Sequence, residues 1–237
     1  MFNMKKSVVV AGLSLVFFSV QANASHVVYS PIVEYGETEV ELMVDVVKDD
    51  DPLVDNTKVY YLEFARGMTD RWTTELLVEF VQPDGEGNKA EAVEWENVYQ
   101  LTEHGAGPLD YGLLFELEKA MEDGSPDEVA AGILIQRENG DWLALLNLMA
   151  EKEFGDNSES GAEGFGAFKL AWRKYETATP ELEYYSSEYE RTLGTLVSGR
   201  WKTGAKNKIG YTLGVMWGLD DNTPDYIVRS MIEFEFY

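Results

Sequence analysis

Long runs of strictly alternating residues constrain this chain more than any other feature. Thr38, Val40, Leu42, Val44 and Val46 alternate with Glu37, Glu39, Glu41, Met43 and Asp45. Tyr60, Leu62 and Phe64 alternate with Tyr61, Glu63 and Ala65; Val93 and Trp95 with Glu94 and Glu96; Leu113, Phe115 and Leu117 with Leu114, Glu116 and Glu118. Ile232, Phe234 and Phe236 alternate with Glu233 and Glu235 at the end of the chain. Side chains of a strand point to opposite faces in turn, so a period of two sustained this long predicts strands with one apolar and one acidic face. No segment carries a comparable 3.6-residue stripe, and the fold class expected is all-β.

Turn signals divide the sequence into about twelve strands, near 33–48, 57–66, 72–81, 90–101, 109–119, 129–138, 141–153, 164–174, 181–187, 193–202, 207–218 and 226–237. Alternate connections are long and acidic, as at Asp49-Asp50-Asp51-Pro52 and Leu219 to Asp225. Those between them are tighter, as at Glu138-Asn139-Gly140-Asp141. Long loops on one side and short turns on the other are the pattern of a membrane barrel, and an even strand count puts both ends on the short-turn side. No repeat or linker breaks the rhythm, so residues 25–237 are expected to form one domain.

Alternation alone does not say whether the apolar face meets a protein core or lipid. Strand length does discriminate: a tilted strand needs about 9–11 residues to cross a bilayer, against the usual 5–6 of soluble sheets. Aromatic residues cluster near strand ends, at Trp72, Trp142, Trp172, Trp201, Trp217, Phe236 and Tyr237, where interfacial girdles sit. These features favour a closed, antiparallel, up-and-down transmembrane β-barrel whose partner is outer-membrane lipid.

The first residues agree. Lys5-Lys6, an apolar stretch from Ser7 to Val20 and the Ala22-Asn23-Ala24 pattern read as a secretory signal peptide over residues 1–24, cleaved before Ser25. The chain has no Cys, hence no disulfide and no lipid-modified cysteine. The formal charge of −24 becomes −26 on cleavage, because Lys5 and Lys6 leave with no acid. So negative a chain argues against nucleic acid, whose phosphates require Lys and Arg.

The closing stretch "IEFEFY" resembles the carboxy-terminal signature of bacterial outer-membrane β-barrels, with Tyr237 one residue beyond the usual final Phe. That resemblance implies recognition by the barrel-assembly machinery through the last strand. "YSPIVEYGETEVEL", "GMTDRWTTE" and "EAVEWENVYQLTEHG" are similar to an uncharacterised proteobacterial group of such barrels. This implies fold and cell-outer-membrane location, and brings no activity and no site residues.

If the apolar face meets lipid, the acidic face lines the lumen. The candidate lining residues are Glu39, Glu41, Glu63, Glu75, Glu79, Glu94, Glu96, Glu116, Glu118, Glu151, Glu153, Lys169, Arg173, Arg200, Arg229, Glu233 and Glu235. Carboxylates focused in a low-dielectric tube attract cations and repel anions. The expected function is a narrow porin-like conduit for small cationic or neutral solutes. Two alternatives stand beside it: a plugged barrel working through its acidic external loops, and a soluble periplasmic lipid-binding barrel.

Catalysis is not expected. His26 and His104 are the only histidines, one at the expected mature start and the other in a turn on the expected periplasmic side, the wrong side for a Ser–His pair at the outer lipid edge, and they are too few for a His/Cys metal site. The Asp49–Asp55 and Asp220–Asp225 loops are oxygen-rich, but exposed acidic runs are normally solvated and their spacing matches no calcium loop. No cofactor is assigned.

Overall fold

The computed structural model describes residues 27–158 and 160–237; the signal-peptide assignment lies outside them. Twelve antiparallel strands follow one another around a closed barrel: β1 (Thr38–Lys48), β2 (Lys58–Gly67), β3 (Trp72–Gln82), β4 (Lys89–Gln100), β5 (Asp110–Ala120), β6 (Asp127–Asn139), β7 (Trp142–Phe154), β8 (Glu163–Trp172), β9 (Thr179–Ser186), β10 (Arg191–Lys202), β11 (Lys208–Gly218) and β12 (Tyr226–Phe236). Each strand pairs with its sequence neighbours, and β12 returns to pair with β1 from Thr38↔Phe236 to Lys48↔Tyr226. The alternating carboxy-terminal strand is therefore the closing stave.

Eleven strands have 10–13 residues and β9 has eight. At about 3.3 Å per residue and a tilt of about 40°, eleven residues rise about 28 Å, the height of a bilayer's apolar band. The outward residues form that band. Leu62, Phe64, Leu76, Trp95, Phe115, Leu148, Leu213 and Phe234 are all exposed, whereas Glu94, Glu96, Glu116, Glu233 and Glu235 are buried. This is an inside-out arrangement relative to a water-soluble protein. Aromatics ring both ends, with Trp142 and Trp172 6.4 Å apart and Trp201 stacked on Tyr211 at 4.8 Å on the short-turn rim, and Trp217 beside Tyr226 at 5.8 Å on the other.

Two expected strand boundaries are corrected. The first strand begins at Thr38, not at 33, because Gly36 turns the chain at φ +81° and its N–H donates to the Gly67 carbonyl at 2.9 Å. The eighth strand ends at Trp172, which leaves Arg173 in the turn that follows. One β-bulge interrupts the β3–β4 ladder between Glu79 and Phe80; such an extra residue bends the strand and re-aims the side chains beyond it.

The outward band makes a direct prediction. Leu148 stands at mid-height on β7 and is half exposed. Replacing it with Arg should cost about 2–4 kcal/mol in urea-driven unfolding from lipid vesicles, the range for a basic residue at the bilayer midplane. A loss below a few tenths of a kcal/mol would mean that this face does not meet hydrocarbon.

Candidate functional site

The inward face is polarised around its circumference. On β1 to β5 carboxylates follow one another across the ladder: Glu41 is opposite Glu233 and Glu63, Glu75 opposite Glu96, Glu96 opposite Glu116, and Glu94 opposite Glu118. The row continues with Glu118 opposite Glu128, Glu128 opposite Glu153, and Glu151 opposite Glu163. Like charges directly opposite one another destabilise a sheet. Such a row has to be offset from outside it.

The offsetting cations stand on β8 to β12. Arg229 is buried and holds Asp45 in a two-point fork, Nε to Oδ1 at 2.9 Å and Nη2 to Oδ2 at 2.6 Å. Lys169 lies 2.8 Å from Glu183 and 3.5 Å from Glu181. Arg200, half exposed near the short-turn rim, reaches Glu235 at 2.7 Å and Glu233 at 3.4 Å. Lys208 pairs with Glu235 and lies 3.7 Å from Glu37. Arg173 is at the rim rather than along the wall and pairs with Glu138 at 3.0 Å. Of the expected lining carboxylates on β1 and β12, Glu233 and Glu235 have these ion pairs, and Glu39 and Glu41 on β1 stand opposite Glu235 and Glu233. Among the described residues no Lys or Arg forms an ion pair with Glu63, Glu75, Glu79, Glu94, Glu96, Glu116 or Glu118.

The lumen is also packed. Leu134 and Met216 are fully buried, and Met43, Tyr61, Leu114, Met149 and Tyr185 are nearly so. Residues 27–33 run inside the barrel as a strap and complete this packing, and the exposed Glu34 and Tyr35 lead out of it. Val27 packs against the cluster of Met43, Val59, Tyr61 and Leu77, Val28 against that of Tyr185 and Met216, and Tyr29 against that of Leu114 and Leu134. The strap has no strand neighbour, so side chains of the wall satisfy its backbone. Asn147 accepts from the Tyr29 N–H at 2.7 Å and donates to its carbonyl at 3.0 Å, and Gln100 accepts from the Val33 N–H at 2.8 Å; the Ser30 side-chain hydroxyl adds a bond to Gln136 at 2.9 Å. A Cβ on Gly112 would come within 2.8 Å of the Pro31 Cβ, so only glycine lets the strap lie this close to β5.

The carboxy end pins the strap where it enters. The Tyr237 hydroxyl donates to Glu34 and, at 3.0 Å, to Glu37, with the Lys206 ammonium 4.7 Å from its ring centre. Partial burial and those two carboxylates push the Tyr237 phenol up from its ordinary value. Burial first, then the neighbouring Glu235, raises the Glu37 carboxyl.

Sequence reasoning missed Glu181 and Glu183, whose alternation with Leu182 and Tyr184 was visible but followed Pro180 in a short strand. It also missed the strap and its amide partners, although Pro31 and Gly36 signalled a break. The acidic external loops use their own carboxylates: Asp51 caps the Leu53 N–H at 2.9 Å, and Asp220 accepts from Thr223 at 2.6 Å and Arg191 at 2.9 Å. The Thr223 hydroxyl, with Arg191, holds Asp220 below the usual carboxylate range.

The fold has counterparts among solved structures. An outer-membrane channel from Pseudomonas putida F1 superposes with a TM-score of 0.62 at 13% identity, over 86% of this chain and 96% of that one. The KdgM porin gives 0.53 at 11% identity, over 84% and 98%. The same porin in complex with disordered oligogalacturonate gives 0.53 at 11% identity, over 85% and 98%. No protein-family model and no curated protein matches the chain.

The buried fork gives a second prediction. Arg229→Met should destabilise the barrel by about 3–5 kcal/mol, because Asp45 is left buried and unpaired. Adding Asp45→Asn should recover much of that loss. Additive losses in the double variant, measured by denaturant unfolding, would show that the pair is not coupled. At such low identity these likenesses concern architecture alone: the chain is a closed, antiparallel, twelve-stranded barrel, the fold that those channels also have.

Proposed function

We propose that this protein is an outer-membrane barrel working as a narrow conduit that favours small cations, with its own amino-terminal strap as the constriction. The observation that carries this reading is the carboxylate row on β2 to β5, which no Lys or Arg among the described residues compensates and which faces the interior of a barrel with an apolar outer face. Charge of one sign in such a tube concentrates counter-ions and excludes co-ions. Porins share the fold, which supports a conducting role. The strap supports a narrow one, because residues 27–33 occupy space that a solute would otherwise use.

A second reading has its own support. Leu134, Met216 and Glu96 all point inward and are completely buried, which suits a filled barrel whose loops do the work.

Planar-bilayer recording separates the two. The wild-type barrel should give small current steps, and a variant lacking residues 27–33 should give several-fold larger ones. In a salt gradient both reversal potentials should lie on the cation side. Silence from both proteins with the β-sheet signal intact favours the filled barrel. An anion-side reversal potential overturns the charge argument.

A further inference from the structure

One corner of the carboxylate row is built differently from the rest. Glu94 and Glu96 on β4 and Glu116 on β5 are all buried, and each places one carboxylate oxygen within 4.8 Å of the others. Two ligands on opposite sides of a calcium ion, each at about 2.4 Å, lie about 4.8 Å apart, so oxygens this close can be gathered round one ion. Glu96 is completely buried, and neither of its oxygens has a hydrogen-bond partner. Such a group is costly to bury unless a positive charge or a proton meets it. The facing residue on β3 is another carboxylate, Glu75, near enough to share a proton. That proton would meet one oxygen of Glu96 and leave the other, together with Glu94, uncompensated. Glu116 has the Tyr29 side chain of the strap as its neighbour, and a phenol brings no positive charge.

The comparison within the same lumen is informative. Glu39, Glu41 and Glu233 also bring three oxygens within 4.8 Å of one another, but Arg200 reaches Glu233 at 3.4 Å and supplies a cation. No Lys or Arg among the described residues does the same for Glu94, Glu96 and Glu116. We infer that these three side chains hold a calcium-sized divalent cation, set into the barrel wall at mid-height beneath the strap. Hard carboxylate oxygens with no nitrogen or sulfur donor select such an ion over the transition metals. The site would be structural, substituting for the missing arginine on this side of the lumen. It requires the fold only and not conduction.

Metal content of the refolded barrel tests this. Protein refolded with Ca²⁺ or Mn²⁺ and then desalted should retain about one ion per chain. Glu96→Gln should lower affinity on the order of tenfold or more, since each lost ligand charge weakens such sites steeply. Glu116→Gln should behave alike, and Glu39→Gln, in the Arg200-compensated group, should leave the ion in place. Circular dichroism establishes that each variant has its β-sheet. Folded wild-type protein without retained ion overturns the inference and leaves protons to neutralise the row. Equal retention in Glu96→Gln places the ion elsewhere. Equal loss in Glu96→Gln and Glu39→Gln marks diffuse attraction to an acidic lumen, which also overturns it.

Discussion

In hydrocarbon an unpaired backbone amide costs several kcal/mol, and no water is present to relieve it. The pairing of β12 with β1 meets this constraint, and most of the architecture depends on it. Once that seam is closed, no strand edge remains, the inside and outside are permanently distinguished, and every residue of a strand is committed to one of them. The sorting of Phe, Leu and Trp outward and Glu inward along β1, β4, β5 and β12 follows from that commitment. A one-residue slip at the seam would exchange the two sets.

The interior then has to accommodate what the exterior excludes. Part of the space that twelve strands enclose is filled by residues 27–33. The strap is tolerated because Asn147 and Gln100 give its backbone the partners that a neighbouring strand would provide. Charge is handled less evenly. Arg229, Lys169, Arg200 and Lys208 are all on β8 to β12, and their ion pairs concentrate there. Carboxylates dominate the opposite sector, and Glu96 at its centre is met by another carboxylate, Glu75, and by no Lys or Arg among the described residues.

Much of this was legible in the sequence, for a physical reason. A face that touches lipid tolerates little besides apolar residues, so alternation in Thr38–Lys48 or Asp110–Ala120 is nearly uninterrupted and gives both the strands and their two faces. Turns obey local chemistry and were located to within a few residues. The strap was not legible, because its partners are amides more than sixty residues away and nothing local marks Asn147 as a surrogate strand. Arg173 stands at the rim rather than along the wall because β8 stops one residue before it, and where a strand stops depends on its neighbours. Which glutamates have a cation and which do not is likewise a matter of barrel circumference, since Asp45 and Arg229 meet only when the first and last strands do.

Because the strap runs inward from Gly36, Val27 lies among Met43, Tyr61 and Leu77 rather than in solvent. The two ends of the described chain are therefore in unlike places: one inside the wall, the other, Tyr237, on an accessible rim. A fluorophore or affinity tag joined ahead of Val27 starts from the interior and senses that enclosed space. One joined after Tyr237 reports on the periphery.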